Sequence, residues 1–574
     1  MAGIFTFLVL VGSASAARID YRVEIQAPGE LKTTLERGLN VVRWKDDPEM
    51  DAERLKRLVD EAVRESREAA ATEGYFSAQV RAEIDSSAEP WVVRLRVEPG
   101  ERTRVHDIEL RFLGPAANDA EARGLLEKVR AGWTLRRGQP FRQQDWDAAK
   151  RQALRDFSSW RYAAASIADS RAVIDPEGRT ASLTVEMESG PPFRFGELRV
   201  TGTKRFSDAL VANLSAIAPG SVYDREQLIL LQRRLLESGY FASVQAEIDA
   251  QPAAAGAAPL RVAVIEAPQH HVESGLSYNT DVGVRFETRY SNEDVLGSAW
   301  RFRTGLNLDK QTQSLTFDVD APPRPGGQWN SYMARARQED IQNLVTREVA
   351  FGVSHNWGAG LAPSAVLVSA HFEESLIAGQ SPDDLYALYF GARKTFRRTD
   401  ELVSPRRGYV FTAEAGGSPS GLATEPFVRG LATALVFFPF GRNGDVLLRG
   451  QAGAVLSHSR EGIPSTFLFR TGGDQTVRGY AFESLGVEKD GAIVGGRRLL
   501  VASAEYVHWF GENWGLAVFA DTGNAWDSGV RPSFANGYGF GARFRTPIGP
   551  IRADLAYGQV TGDVRLHFSV GYSF

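Results

Sequence analysis

Three charged residues near the C-terminal end of the chain have types and spacing that suit ion-pair chemistry. Arg478 lies in the run GGDQTVRGY (472–480), between apolar Val477 and a Gly-Tyr turn. Downstream, Glu505 lies in ASAEYVHWF and Asp521 in VFADTGNAW, both runs of alternating polarity. A guanidinium with two carboxylates can make charge-assisted hydrogen bonds, including the two-point fork that arginine forms with one carboxylate. In 514–522, Leu516, Val518 and Ala520 form an apolar row, which puts Asp521 on the opposite face with Ala517 and Phe519. Glu505 alternates in the same way with Ala504 and Tyr506. By its position alone Arg478 is a solvated loop arginine. Acids on the inner face of a barrel need a cation or water, so the three together read as a loop pinned inside a pore.

Other chemistries fail on their own terms. The chain has no cysteine, which excludes disulfides, thiolate metal sites and cysteine nucleophiles. His270 and His271 are adjacent, not at the i, i+4 spacing of a helical metal pair. The glycine-rich run GYGFG (537–541) sits in an alternating segment with no helix after it, so it cannot cradle phosphate at a helix N-terminus. No nucleophile elbow is present. The expectation is a protein that is not an enzyme and holds no cofactor. The formal net charge of -5, with arginines dispersed along the chain, argues against a nucleic-acid partner.

These residues must be positioned by elements of two kinds. From about Gln269 onward the chain breaks into segments of about ten residues with alternating polarity, the pattern of transmembrane strands. Val564, Leu566, Phe568, Val570, Tyr572 and Phe574 alternate with Arg565, His567, Ser569, Gly571 and Ser573. Tyr538, Phe540, Ala542 and Phe544 alternate with Gly539, Gly541, Arg543 and Arg545, and Ile551, Ala553, Leu555 and Tyr557 with Arg552, Asp554, Ala556 and Gly558. An arginine facing lipid near mid-membrane costs about 2–4 kcal/mol, so the register is well determined here. Turn signals divide the region into sixteen strands, an even number that returns the chain end to the side of the N-terminal domains. Short connections such as 511–513 and 547–549 alternate with longer ones such as 524–536. The longest, about 459–497, falls between the eleventh and twelfth strands.

The N-terminal half is repetitive. GYFSAQVRAEID (74–85) and GYFASVQAEID (239–249) each follow an amphipathic stretch, and a weaker copy lies between them, with a helical 146–157 and a strand place at 158–175. Each copy runs β-α-α-β-β, with opening strands such as HDIELRFLG (106–114) and FGELRVTG (195–202) and closing strands such as RLRVEPG (94–100), SLTVEMESG (182–190) and LRVAVIEAP (260–268). Residues 1–16 read as an export signal, with a short apolar run and Ala14-Ser15-Ala16 as the cleavage site. The expected division is 1–16 signal, 17–101, 102–190 and 191–268 as three α+β domains, and 269–574 as the barrel.

The V-R-G-Y loop, the F-x-D-x-G strand and an aromatic final residue resemble the outer-membrane assembly-factor superfamily, which joins periplasmic POTRA domains to a β-barrel. Within it, FRTGGDQTVRGY and TPIGPIRADLAYG look most like the translocation and assembly module branch, typified by TamA. The resemblance implies that Arg478, with Gly479 and Tyr480, folds back into the lumen to meet Asp521 and Glu505. It also implies a lateral gate between 272–279 and 566–574. Ser277 and Ser569 are lumen-facing positions on its two sides, Phe574 is the closing aromatic, and Gly571 weakens the closing strand. Gly571 and Gly558 also suit places where tall neighbouring side chains need room. The implied function is insertion of unfolded outer-membrane barrel clients such as autotransporters, with a TamB-like inner-membrane-anchored subunit on the POTRA domains and the lipid bilayer as the medium. A two-partner secretion pore shares the loop but normally has two POTRA domains, and the superfamily's central assembly factor normally has five. A passive porin needs neither the repeats nor the loop.

Overall fold

The computed structural model describes residues 18–280, 282–358, 362–401, 405–546 and 549–570. The expected signal at 1–16, and Gly571 and Phe574 of the expected gate, lie outside the described residues, as do Pro547 and Ile548 of one short connection. Two compact units account for the chain. One holds residues through Glu197 with Pro219–Glu226 and Ile248–Pro259, and the other holds Leu198–Ala218, Gln227–Glu247 and the chain from Leu260 onward.

The N-terminal half builds three small sheets of three strands, each with its closing strand in the middle. In the first, Trp91–Glu98 pairs in parallel with Tyr21–Gln26 and antiparallel with Gln79–Asp85. The helix Ala52–Thr72 covers it. Asp51 caps that helix by accepting from the Arg54 N–H at 2.7 Å, and Leu55, Val59, Ala62 and Ala70 form its buried face against Val93 and Leu95. The second sheet repeats the plan with Arg104–Leu113, Thr180–Glu188 and Ser166–Asp175. The helix Gln143–Phe157 places Trp146 and Phe157 against Leu183 and Val185. The third sheet orders Phe195–Thr201, Ala258–Glu266 and Phe241–Ile248. At its end the Glu266 carboxylate accepts from the backbone N–H groups of Lys204, Arg205 and Phe206 and from Arg205 Nε.

Two boundaries differ from the sequence reading for a common reason. The aromatic copies do not begin as strands. Gly74 has φ +91 and its residue forms a turn, because a Cβ there would sit 2.1 Å from the Phe141 carbonyl oxygen, and the strand starts at Gln79. In the middle copy the strand occupies Ser166–Asp175, with 158–165 as a turn that buries Tyr162. Aromatic residues read as strand formers here plug turns instead.

From His270 the chain forms one antiparallel sheet of sixteen strands in sequence order. The first is His270–Asn279 and the last described is Val564–Val570. Among the described residues, the ladders run from first to last strand and none links the last back to the first. Outward residues are large and apolar, as at Val518 and Leu276, which are 56% and 76% exposed. The alternate row turns inward, and in Trp514–Trp526 it carries Ala517, Phe519 and the charged Asp521. Connection 457–497 joins the eleventh strand, Gly444–Leu456, to the twelfth, Arg498–Phe510. The outer connection expected at 524–536 is only 527–534, because Trp514–Trp526 pairs with Arg498–Phe510 out to Trp526 and with Ala535–Thr546 from Ala535 onward.

Candidate functional site

The inward row of the strand Trp514–Trp526 delivers Asp521, and that of Arg498–Phe510 delivers Glu505. The structure brings Arg478 to both. Its Nε and Nη2 donate to the two oxygens of Asp521 at 2.7 and 3.0 Å, a planar fork, and its backbone N–H donates to Asp521 at 3.1 Å. Nη1 donates to Glu505 at 2.7 Å, and the guanidinium carbon lies 3.4 Å from the centre of the Phe519 ring. Arg478 is 1% exposed, so its charge has left water and depends on these acids.

Two further members belong to the cluster. Asp554, on the strand Gly549–Gly558, accepts from Arg478 Nη1 at 3.2 Å and from Arg543 Nη1 at 2.5 Å. Arg543 Nε reaches Glu505 at 3.0 Å. Three buried acids therefore face two arginines directly, with Arg552 as the cross-strand neighbour of Arg543. Sequence alternation puts Asp554 and Arg543 on the lumen row. Nothing in the spacing says that they join Arg478, because only the register between separate strands brings them to one level.

Main-chain contacts complete the anchor. Gly479, with φ +93, donates its N–H to His567 Nε2 at 3.0 Å. A Cβ on Gly537 would lie 1.9 Å from the Arg478 carbonyl oxygen, and one on Gly558 would lie 2.6 Å from that of Gly479. Gly558 thus makes room for loop backbone, and the reading that it makes room for tall side chains is corrected. Tyr480 is buried. Its hydroxyl donates to the Asn536 carbonyl at 2.9 Å and accepts from the Val560 N–H at 3.1 Å.

The same loop grips the opposite wall through residues that the sequence reading did not single out. Ser465 gives both its N–H and its hydroxyl to the buried carboxylate of Glu373, at 3.0 and 2.7 Å. Glu373 stands directly across the ladder from Glu348, and those donors offset the clash of like charges. Arg470 bridges Glu483 at 2.6 Å and Glu339 at 3.8 Å. Phe467 packs on Tyr389, His371 and Phe427 with ring centres 4.7–4.9 Å apart. A hairpin of Val487–Lys489 and Ala492–Val494 tops the loop, and Ile493 N–H donates to the Gln342 carbonyl at 3.1 Å.

At the seam, Ser277 lies on the lumen row of the first strand, between outward Leu276 and Tyr278, and is opposite Arg285. Ser569 is opposite Arg552, so the described ladders do not pair the two serines with each other. His270 Nδ1 meets the Tyr290 hydroxyl at 2.9 Å, and His271 Nε2 meets Glu273 at 3.0 Å.

An even-stranded barrel with inward charges, apolar outward faces and small α+β domains before it defines an outer-membrane protein with POTRA domains. The comparisons name the group more narrowly. The Omp85 superfamily domain matches residues 270–574, more than half of the chain, and the chain belongs to that superfamily. The POTRA domain TamA domain 1 matches residues 22–99, and the POTRA family described as surface antigen variable number repeat matches 193–266. The barrel accordingly lies in the outer membrane with the POTRA domains in the periplasm. The chain is 22% identical over 533 residues to the outer membrane protein assembly factor BamA of Nitratidesulfovibrio vulgaris strain Hildenborough, covering 87% of this chain and 66% of that relative, just under two thirds of its length. Among solved structures it is similar in fold to BamA from Haemophilus ducreyi lacking POTRA domains 1–3, with TM-score 0.57, 13% identity, and coverage of 82% of this chain and all of that one. CdiB from Acinetobacter baumannii matches at TM-score 0.47 and 12% identity over 82% of this chain and 90% of its own.

Proposed function

We propose that the protein folds and inserts client β-barrels into the outer membrane without chemical catalysis, working with a TamB-like inner-membrane-anchored subunit held by its POTRA domains. Autotransporters are the expected clients. The observation that carries the reading is the architecture: POTRA domains followed by a sixteen-stranded barrel of the Omp85 superfamily, with its first and last strands side by side at the seam. A client strand arriving in lipid presents unpaired backbone groups that hydrocarbon cannot satisfy, and an unzipped barrel edge offers them partners. The match of 22–99 to a TamA POTRA domain supports the translocation and assembly module branch over the central assembly factor.

Full-length protein in liposomes, mixed with a urea-unfolded autotransporter barrel, provides the test. The heat-resistant, fast-migrating client band should form several-fold faster than with empty liposomes or with liposomes holding a porin. Equal rates in all three would defeat the reading. Crosslinking the full-length protein in its native envelope tests the partner, since recovery of an inner-membrane-anchored subunit is expected and its absence would remove that branch.

A further inference from the structure

We infer that His567 is a positioning residue that latches the last hairpin of the barrel to the lumen loop, and through the loop to the opposite wall. The hairpin comprises Gly549–Gly558 and Val564–Val570, and the loop touches it at four places. Arg478 bonds Asp554, Gly479 N–H bonds His567, the Gly479 carbonyl rests in the space left by Gly558, and the Tyr480 hydroxyl takes the Val560 N–H. Among the described residues, it is the His567 contact that reaches the last strand itself, whose described ladder is to the strand before it.

The contact demands a specific chemistry. The Gly479 N–H is buried, and among the described residues its acceptor is His567 Nε2. An N–H left without an acceptor away from water is costly, so the loop and the last strand hold each other in one geometry. In the latched geometry Nε2 stands as the acceptor of that bond. The far end of the loop is fixed independently at Glu373 by Ser465 and at Glu339 by Arg470. The loop therefore works as a crossbar. The last strand cannot swing away from the first while Gly479 stays bonded to His567.

The inference uses the seam reading only for what the latch serves, and its test needs no client, so the latch and the assembly activity fail separately. The chain has no cysteine, so Val560→Cys in the last hairpin turn and Lys310→Cys in the turn 309–311 can be spin-labelled alone in the full-length protein in liposomes. Pulsed electron paramagnetic resonance should give one narrow distance for the otherwise native chain. His567→Ala should add a second, longer population. His567→Gln places an acceptor oxygen where Nε2 stands and should restore the single distance, whereas the shorter His567→Asn should behave like His567→Ala. Tyr480→Phe, which removes the Val560 contact without altering the last strand, should broaden the distribution in the same direction. Identical distributions for the Gln and Asn variants would overturn the latch even if the Ala variant did not fold. So would an unchanged distribution in folded His567→Ala.

Discussion

The POTRA modules and the barrel obey the same alternation with opposite outcomes. In the first module the central strand turns Val93, Leu95 and Val97 into a dry core and leaves Arg94 and Arg96 to water. In the barrel strand Trp514–Trp526, Leu516 and Val518 face out and the acid Asp521 faces in. The modules are held by apolar burial, and the barrel interior by paired charge beside an apolar cluster in which Phe467 and Val477 of the loop pack with Leu499 and Val501 of the wall. One local rule therefore yields either arrangement, and the solvent on each face decides which.

That contrast yields four predictions, taken in descending order of effect. Arg478→Ala takes the guanidinium from buried Asp521, while Glu505 and Asp554 keep Arg543, and should destabilise the loop-filled barrel by about 3–5 kcal/mol, less where lumen water enters. It would be read as a lower temperature for loss of the compact electrophoretic band. A barrel unchanged by this substitution would mean that paired charge does not hold the interior. Leu95→Ala removes core volume from the first module at about 2–5 kcal/mol. Hydrogen exchange should rise across residues 18–101 and stay constant across the barrel, and a barrel-wide rise would break the separation. Val518→Arg puts a cation on the lipid face at about 2–4 kcal/mol, and insertion yield in liposomes should fall, although Arg543 sits stably one strand away on the inner face.

The smallest effect concerns Glu266. Burial opposes ionisation of its carboxyl, but the N–H groups of Lys204, Phe206 and Arg205 outweigh burial and hold it below the usual carboxylate range. A carboxyl depressed in the folded state gives stability that is present above its ordinary value and is lost as pH falls through the folded value. Glu266→Ala should cost about 1.5–3 kcal/mol at neutral pH. The difference between native and variant, measured by denaturant titration with exchange at 204–206 as probe, should shrink on acidification. A gap that widened instead would reverse the assigned direction.

Much of this was legible in the residues, because alternation is a local property. Register in the later strands, the place of the long loop between the eleventh and twelfth strands, and the meeting of Arg478 with Asp521 and Glu505 all follow from rows of two-residue period and one motif. Asp554, Arg543 and His567 were legible only as lumen residues. Their convergence depends on how far each strand is staggered against the next, which no single segment encodes. The Ser465–Glu373 contact was hidden for a similar reason, since it joins a loop serine to a strand 92 residues away. The aromatic turns at Gly74 and 158–165 misled because Tyr and Phe favour strands by packing, and here the packing lies in turns.

The three glycines at the anchor have a consequence for mutational tolerance. Gly537 and Gly558 form a seat for the main chain of Arg478 and Gly479, so the fit is a mould of backbone atoms, which every amino acid shares. Substitutions elsewhere in the loop can accumulate without altering that impression. A single methyl group on the wall at either glycine cannot be accommodated by changing any side chain of the loop, and on the loop side Gly479, whose Cβ would lie 2.7 Å from the Gly558 nitrogen, is closed in the same way.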